Sequence, residues 1–250
     1  MNKILVALLL FVGLSCSCAA KEVVVGMGSF DPFVVESEDS GIFTDIIRAV
    51  FRHMPNHEAI FEYGMVNKRL WVFFEEGRID AISNLYDSVD LQACRSDPTF
   101  RFRDMAISLK KSNFIINKMT DLKGKSIMSF QGAKDFFGLE FAKVIDSRHY
   151  TELVKPQLQA IMLFHDRVDV SVGDLFLFLR TLEKENIDPG SFNFHDIFPR
   201  LYSHMGFHDE DVCKLFNEGL KKIKASGEYE GIYRSYLERL GYISENTIRE

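Results

Sequence analysis

Strand-like and helix-like stretches alternate along this chain, and that alternation most narrows the folds open to it. Residues 22–26 are a β-branched run ending at glycine, the pattern of a buried strand. Phe43, Ile46, Ile47, Val50 and Phe51 recur at i, i+3, i+4, i+7 and i+8 and predict an amphipathic helix. A second strand over 59–63, a second helix over 66–76 stopped by Gly77, and a third strand over 79–83 follow. Strand-helix-strand-helix-strand implies a parallel sheet with covering helices, because parallel strands need a crossover long enough to hold a helix.

The pattern then recurs. A strand over 126–130, helices over 133–144 and 156–164, and a strand over 168–172 make a second unit. Its helix-to-strand corner, Asp166-Arg167-Val168-Asp169-Val170-Ser171, echoes Gly77-Arg78-Ile79-Asp80-Ala81-Ile82 in the first. Two similar α/β units suggest two lobes with a cleft between them, and a cleft at the carboxyl ends of parallel strands is where ligands bind. The C-terminal fifth reads as helical. Asp209 is placed to cap a helix running to Ala225, with Val212, Leu215, Phe216 and Leu220 on its apolar face. Ser226-Gly227 ends it, and a second helix carries Tyr229, Ile232, Tyr233 and Leu237. No Pro- or Gly-rich linker is present, so short strand-like crossings are expected to join the lobes.

The first residues point to export. Lys3, an apolar run over 4–14 and the small residues Ser15-Cys16-Ser17-Cys18-Ala19-Ala20 have the layout of a secretory signal peptide, with cleavage expected after Ala20. That run is shorter than the about 20 apolar residues a bilayer span needs. A lipid anchor on Cys16 or Cys18 is the competing reading. Either way the protein is expected in the periplasm. The formal net charge of −6 argues against nucleic acid and anionic membrane surfaces as partners. Beyond the leader only Cys94 and Cys213 remain, too few for a metal site of their own. One disulfide and two buried thiols both fit them. No cofactor is expected.

The ordered segments resemble the family 3 extracellular solute-binding proteins of bacterial uptake systems, whose best-known members bind polar amino acids. The carriers are Val24-Val25-Gly26 with Phe30-Asp31-Pro32-Phe33, and Gly41-Ile42-Phe43-Thr44-Asp45 entering the first helix. Phe74-Glu75-Glu76-Gly77-Arg78-Ile79-Asp80-Ala81-Ile82, Ser96-Asp97-Pro98 and Asp121-Leu122-Lys123-Gly124-Lys125 come next. Arg167-Val168-Asp169 to Asp174, then Lys224-Ala225-Ser226-Gly227-Glu228-Tyr229 with Ile232-Tyr233, close the match. The resemblance implies an α/β, two-lobed periplasmic-binding-protein fold of type 2, with residues 1–20 as leader. Lobe 1 would hold 21–110 and 203–250 and lobe 2 would hold 111–202, with hinge crossings near 109–113 and 199–206. It also implies a monomer that captures a small-molecule ligand and hands it to a membrane ABC permease.

Several residues are candidates for the cleft. Phe30 stands where the family often stacks an aromatic ring on the ligand; a core phenylalanine is the plain alternative. Asn84, Tyr86 and Asp87 follow the third strand, where the family supplies polar contacts, and Asn and Asp also suit turns there. Amino-acid binders carry a Thr-x-x-Arg clamp just beyond, and here no arginine stands at the matching place. Arg95 is the nearest substitute, with Arg101 and Arg103 behind it. In the second lobe, Gly132, Ala133 and Lys134 form a glycine turn opening a helix, whose amides suit an anion. Asp174 matches the family aspartate that holds a ligand ammonium, and it suits equally the N-cap of the helix it precedes. Asp174 with Phe30 favours an amine-bearing ligand, and the absent clamp disfavours ordinary L-amino acids.

Two other functions stay open at this stage. Some proteins of this fold are cyclic-acid dehydratases, and carboxylates beside Lys134 could host acid–base work. A ligand-sensing module docking on a separate membrane receptor is the other. The expectation here is a binder and not an enzyme, because no nucleophile motif and no cluster of metal ligands is present.

Overall fold

The computed structural model describes residues 20–86, 89–145 and 148–242. The expected leader up to residue 19, with its possible anchor cysteines, and Asp87 lie outside the described residues. No helix among the described residues is long and apolar enough to cross a membrane.

The first sheet is built from β1 (Lys21–Gly28), β2 (His57–Met65), β3 (Ala81–Leu85), β4 (Cys94–Arg95), β5 (Phe100–Phe102) and, from much later in the chain, β11 (Leu201–Phe207). Its order is β2-β1-β3-β11-β4, with β5 also pairing β11. The strand β1 runs parallel to both neighbours, with Val23 opposite Ala59 and Val25 opposite Ala81. Helices α1 (Ile42–Phe51) and α2 (Asn67–Glu75) are the crossovers that the alternation predicts.

The second sheet joins β6 (Asp104–Leu109), β7 (Ile127–Phe130), β8 (Tyr150–Leu153), β9 (Val170–Asp174) and β10 (Phe192–His195), in the order β10-β6-β9-β7-β8. Its helices are α3 (Ala133–Val144), α4 (Leu158–Phe164) and α5 (Leu175–Lys184). Helix α3 is not the single rod its sequence suggests. Gly138 takes φ 75°, ψ −164°, a conformation open mainly to glycine, and breaks it in the middle.

The sequence-based boundary needs correction at β6. The sequence reading put residues 104–110 in the first lobe, but β6 pairs along its length with β9 and β10 in the second sheet. Met105, Ala106 and Ile107 are all buried there, a strand covered on both faces. The chain therefore changes sheets at Arg103, and it returns over residues 196–200, before β11 begins at Leu201.

Helices α6 (Glu210–Ala225) and α7 (Glu228–Arg239) close the chain. Asp209 caps α6 by accepting from the amides of Asp211 and Val212 at 2.9 and 3.2 Å. Both helices pack on α1 of the first unit. At Gly219 an added Cβ would stand 2.8 Å from the Val50 carbonyl oxygen, so only glycine permits this approach of α6 to α1. The Tyr236 hydroxyl accepts from the Gly41 amide at 2.9 Å and donates to Asp45 at 2.7 Å, fixing α7 to the start of α1.

Helix α5 ties the two sheets together. Phe176 lies 5.8 Å from the Phe33 ring and 5.8 Å from Tyr233 of α7. Arg180 and Lys184 each donate to Asp31 at 2.8 Å, on the loop after β1.

Cys94 and Cys213 are joined in a disulfide with Cα atoms 6.2 Å apart, linking β4 to α6. The bond closes a loop with a sequence separation of 119, which restricts the unfolded chain strongly. The double variant Cys94→Ser, Cys213→Ser is expected to lose about 2–4 kcal/mol of unfolding free energy. Urea denaturation of oxidised protein and variant measures the difference, and coincident curves would show that the bond contributes nothing.

Candidate functional site

The carboxyl ends of the parallel strands converge on one region. Strand β1 delivers Gly28, Ser29 and Phe30, and β3 delivers Asn84 and Tyr86. Strand β7 delivers Phe130 and Gln131, and β9 delivers Asp174. Because β6 is antiparallel to β9, its first residue, Asp104, arrives at the same place. A cavity of ≈ 390 Å³ lies here, with walls from both sheets. A second, of ≈ 320 Å³, adjoins it in the first unit and shares Phe30 and Tyr86 with it. Each is large enough for a small organic molecule.

The walls are aromatic. Tyr86 stacks on Phe102 with centroids 6.0 Å apart, and Phe30 lies 6.2 Å from Phe102. Phe130 and Phe136, edge to face at 5.4 Å, form the opposite side. Asn84 takes φ 60°, a left-handed conformation that Asn tolerates, and its Oδ1 accepts from Ser203 at 2.8 Å. Burial pushes the Tyr86 phenol up to about 12, so it stays a neutral donor.

The floor is acidic. Asp174 plays the capping role its position suggests, with Oδ1 accepting from the amides of Phe176 and Leu177 at 2.9 and 3.1 Å. Its Oδ2 accepts from the Arg103 amide at 2.9 Å. Asp104 stands directly opposite in the strand register, is 6% exposed, and accepts no hydrogen bond from any described residue. Burial pushes the Asp104 carboxyl up to about 8, helped by the neighbouring Asp174 charge. Burial also raises Asp174, to about 6, while the Arg103, Leu177 and Phe176 amides and, after them, the Arg103 charge hold it down. Near neutral pH, Asp174 is thus the ionised member and Asp104 keeps a proton.

The candidate cations are engaged elsewhere. Arg95 donates to the carbonyls of Tyr86 and Val89 and pins the loop instead of facing the cavity. Arg101 forms a two-pronged pair with Glu230 at 2.8 and 2.9 Å and covers the Tyr233 ring. Arg103 reaches Asp196 at 2.8 Å. Among the described residues, no Lys, Arg or His lines either cavity.

The glycine turn of the second unit is also taken. The Gly132 and Lys134 amides donate to Glu152 of β8 at 2.8 and 3.1 Å, and Tyr150 donates to the same carboxylate at 2.8 Å. These donors hold the Glu152 carboxyl below its usual range, the Gly132 amide foremost. The chain thus supplies its own anion to the seat where a ligand anion was expected. Of the sequence candidates, the structure brings Phe30, Asn84, Tyr86 and Asp174 together. Arg95, Gly132, Ala133 and Lys134 do not line either cavity. Gln131, which precedes the glycine turn, lines the cavity, and Asp104 and Phe102 were not read from the sequence. The available signal for Asp104 was a carboxylate opening an otherwise apolar run, Met105-Ala106-Ile107.

Folding should show the cost of the acid pair. In the unfolded chain both carboxyls titrate near about 3.9. Above that value the unfolded chain is ionised while folded Asp104 retains its proton up to about 8, so the folded state binds more protons and loses stability as pH rises. Melting temperatures of ligand-free protein are expected to fall from about pH 5 to about pH 8, and Asp104→Asn is expected to flatten that slope. An unchanged slope in the variant would mean that Asp104 ionises freely in the folded protein.

No protein-family model matches the chain, and no curated protein matches it. Solved structures do match. The L-cystine solute receptor of Neisseria gonorrhoeae, in its unliganded open conformation, aligns with a TM-score of 0.69 at 17% identity, covering 89% of this chain and 94% of that one. The second substrate-binding domain of a putative amino acid ABC transporter from Streptococcus pneumoniae aligns at 0.68 and 18% identity, covering 87% and 100%. A histidine kinase sensor domain with similarity to periplasmic binding proteins aligns at 0.62 and 16% identity, covering 87% and 96%. Likeness at these identities speaks to architecture. The chain has the two-lobed α/β fold of the periplasmic amino-acid-binding proteins, the fold that the family 3 resemblance implies.

Proposed function

We propose that this protein is an extracytoplasmic solute-binding protein that captures a small amine-bearing molecule between its two units and presents it to a membrane ABC permease. The observation that carries this reading is the cleft floor. Asp174 and Asp104 lie side by side beneath aromatic walls, and no Lys, Arg or His among the described residues lines the cavity beside them. A buried carboxylate is costly unless a positive group pairs with it. Aromatic faces add attraction for the same group. The fold supports capture, since both sheets contribute to the cavity and its matches include substrate-binding proteins of ABC uptake transporters.

The same features argue against ordinary amino acids. An α-carboxylate entering the cleft would lose water and meet two acids. Arg95, Arg101 and Arg103 are engaged elsewhere, and Glu152 occupies the Gly132 turn.

One observation favours a second reading. Two carboxyls whose titrations are split apart are also the arrangement of an acid–base pair in catalysis. Nuclear magnetic resonance of a bound ligand after long incubation separates the two, because a binder returns the ligand unaltered.

The main test is a thermal-shift screen of small amines beside the common L-amino acids, followed by calorimetry. Amines are expected to bind and standard amino acids to bind poorly. Asp174→Ala is expected to weaken amine binding at least tenfold, about 1.4 kcal/mol. Tight binding of an ordinary L-amino acid, with Glu152 displaced from the Gly132 turn, would overturn the assigned ligand class.

A further inference from the structure

We propose that Asp104 is a second anchor in the cleft, and that it and Asp174 grip one N–H-bearing ammonium group between them. The cleft would then select primary and secondary amines over quaternary ammonium ions and neutral solutes. This deepens the solute-binding reading above and rests on it.

The argument begins with register. Asp104 and Asp174 are directly paired residues of adjacent antiparallel strands. Such residues have Cα atoms roughly 4.5–5.5 Å apart and project side chains to the same face. One ammonium group lying over the pair can therefore donate to both carboxylates. The hydrogen-bond capacities then distinguish the two acids. A carboxylate offers about four acceptor sites. Asp174 already accepts three amide hydrogens, from Arg103, Phe176 and Leu177. Asp104 accepts none from the described residues, although it is 6% exposed and lines the cavity. Most of the open acceptor capacity at the cleft floor thus belongs to Asp104.

The groups around Asp104 leave this capacity unclaimed. Arg103, its chain neighbour, turns to Asp196, which Arg200 also holds. His195 of β10 is bonded to Ser108. The charge that bears on the carboxyl is that of Asp174 from β9, and the neutral Tyr86 phenol from the loop after β3 shares the cavity with it. An unpartnered acid in such a place lowers stability unless something arrives to pair with it. A quaternary ammonium has no N–H, so it can use the rings but cannot bridge the pair.

Protonation supplies a second signature. An aliphatic ammonium keeps its charge across the neutral range, and Asp104 must release its proton to accept it. Binding should therefore strengthen as pH rises toward about 8, with proton release detectable in buffers of different ionisation enthalpy.

The experiment takes a panel of primary amines, from methylamine to 2-phenylethylamine, and selects the tightest by thermal shift. Calorimetry then compares that amine with its N,N,N-trimethyl form, on wild type, Asp104→Asn, Asp104→Ser and Asp174→Ala. Ligand-free melting confirms that each variant is folded. The expected result is at least tenfold weaker binding on trimethylation and at least tenfold weaker binding in both Asp104 variants. The gain in affinity between pH 7 and pH 8 should also be absent from Asp104→Asn, because Asp174, near 6, is ionised across that interval. If amines bind and depend on Asp174, but neither trimethylation nor the Asp104 variants matter, the second anchor is wrong and the amine reading stands. If no amine in the panel binds, both fall.

Discussion

The antiparallel pairing of β6 with β9 is the contact on which the rest of the molecule turns. It sets where the chain leaves the first sheet, because Arg103 is the last residue before the pairing begins. Its amide donates to Asp174, so the crossing is fastened to the residue that starts α5. Helix α5 in turn sits against Phe33 and Tyr233 of the first unit and holds Asp31 through Arg180 and Lys184. One carboxylate thus links the crossing, the start of the bridging helix and the cleft floor. Loss of the Asp174 side chain therefore acts on architecture as well as on the site, removing a cap worth about 0.5–2 kcal/mol. This is why Asp104, which caps nothing, gives a cleaner view of ligand chemistry.

The electrostatics of the cleft follow from where the cations go. Each nearby arginine has a specific partner: loop carbonyls for Arg95, Glu230 for Arg101, Asp196 for Arg103. Engaged this way, they stiffen the scaffold and leave no Lys, Arg or His among the described residues in the cavity lining, although the Arg103 charge still favours ionised Asp174 from behind. Glu152 works in the same direction, since it fills the donors that would otherwise attract an anion. The amides stay satisfied, and the second unit offers the cleft Gln131 and aromatic surface instead.

Much of this was legible from local pattern. The 3.6-residue period placed α1, the glycine stop ended α2, and Asp209 announced α6, because each signal lies within a few residues of the element it governs. The cleft candidates at strand ends, Phe30, Asn84, Tyr86 and Asp174, came from the family resemblance, with the rule that parallel strands present their carboxyl ends to ligands as support. What was not legible depends on pairing between distant segments. A buried strand such as Met105-Ala106-Ile107 looks the same in either sheet, so its assignment to the first lobe had no local contradiction. Asp104 becomes informative only when β9 brings Asp174 opposite it. Glu152 becomes informative only when β8 pairs with β7 and places it beside the Gly132 turn.

The acid pair also gives the cleft a use for its own instability. A folded protein that keeps two carboxyls close together in a water-poor pocket has one of them protonated and neither at ease. That arrangement lowers the stability of the empty state and leaves the filled state with more to gain. The interlobe contacts through α5 keep the two walls near each other, and each wall presents its own aromatic rings to the cavity, Tyr86 and Phe102 from one unit and Phe130 and Phe136 from the other. A positive group settling on the floor would therefore add the directional interactions that the empty cleft lacks, and would favour whichever arrangement of the two units brings Tyr86 and Phe130 closest over it.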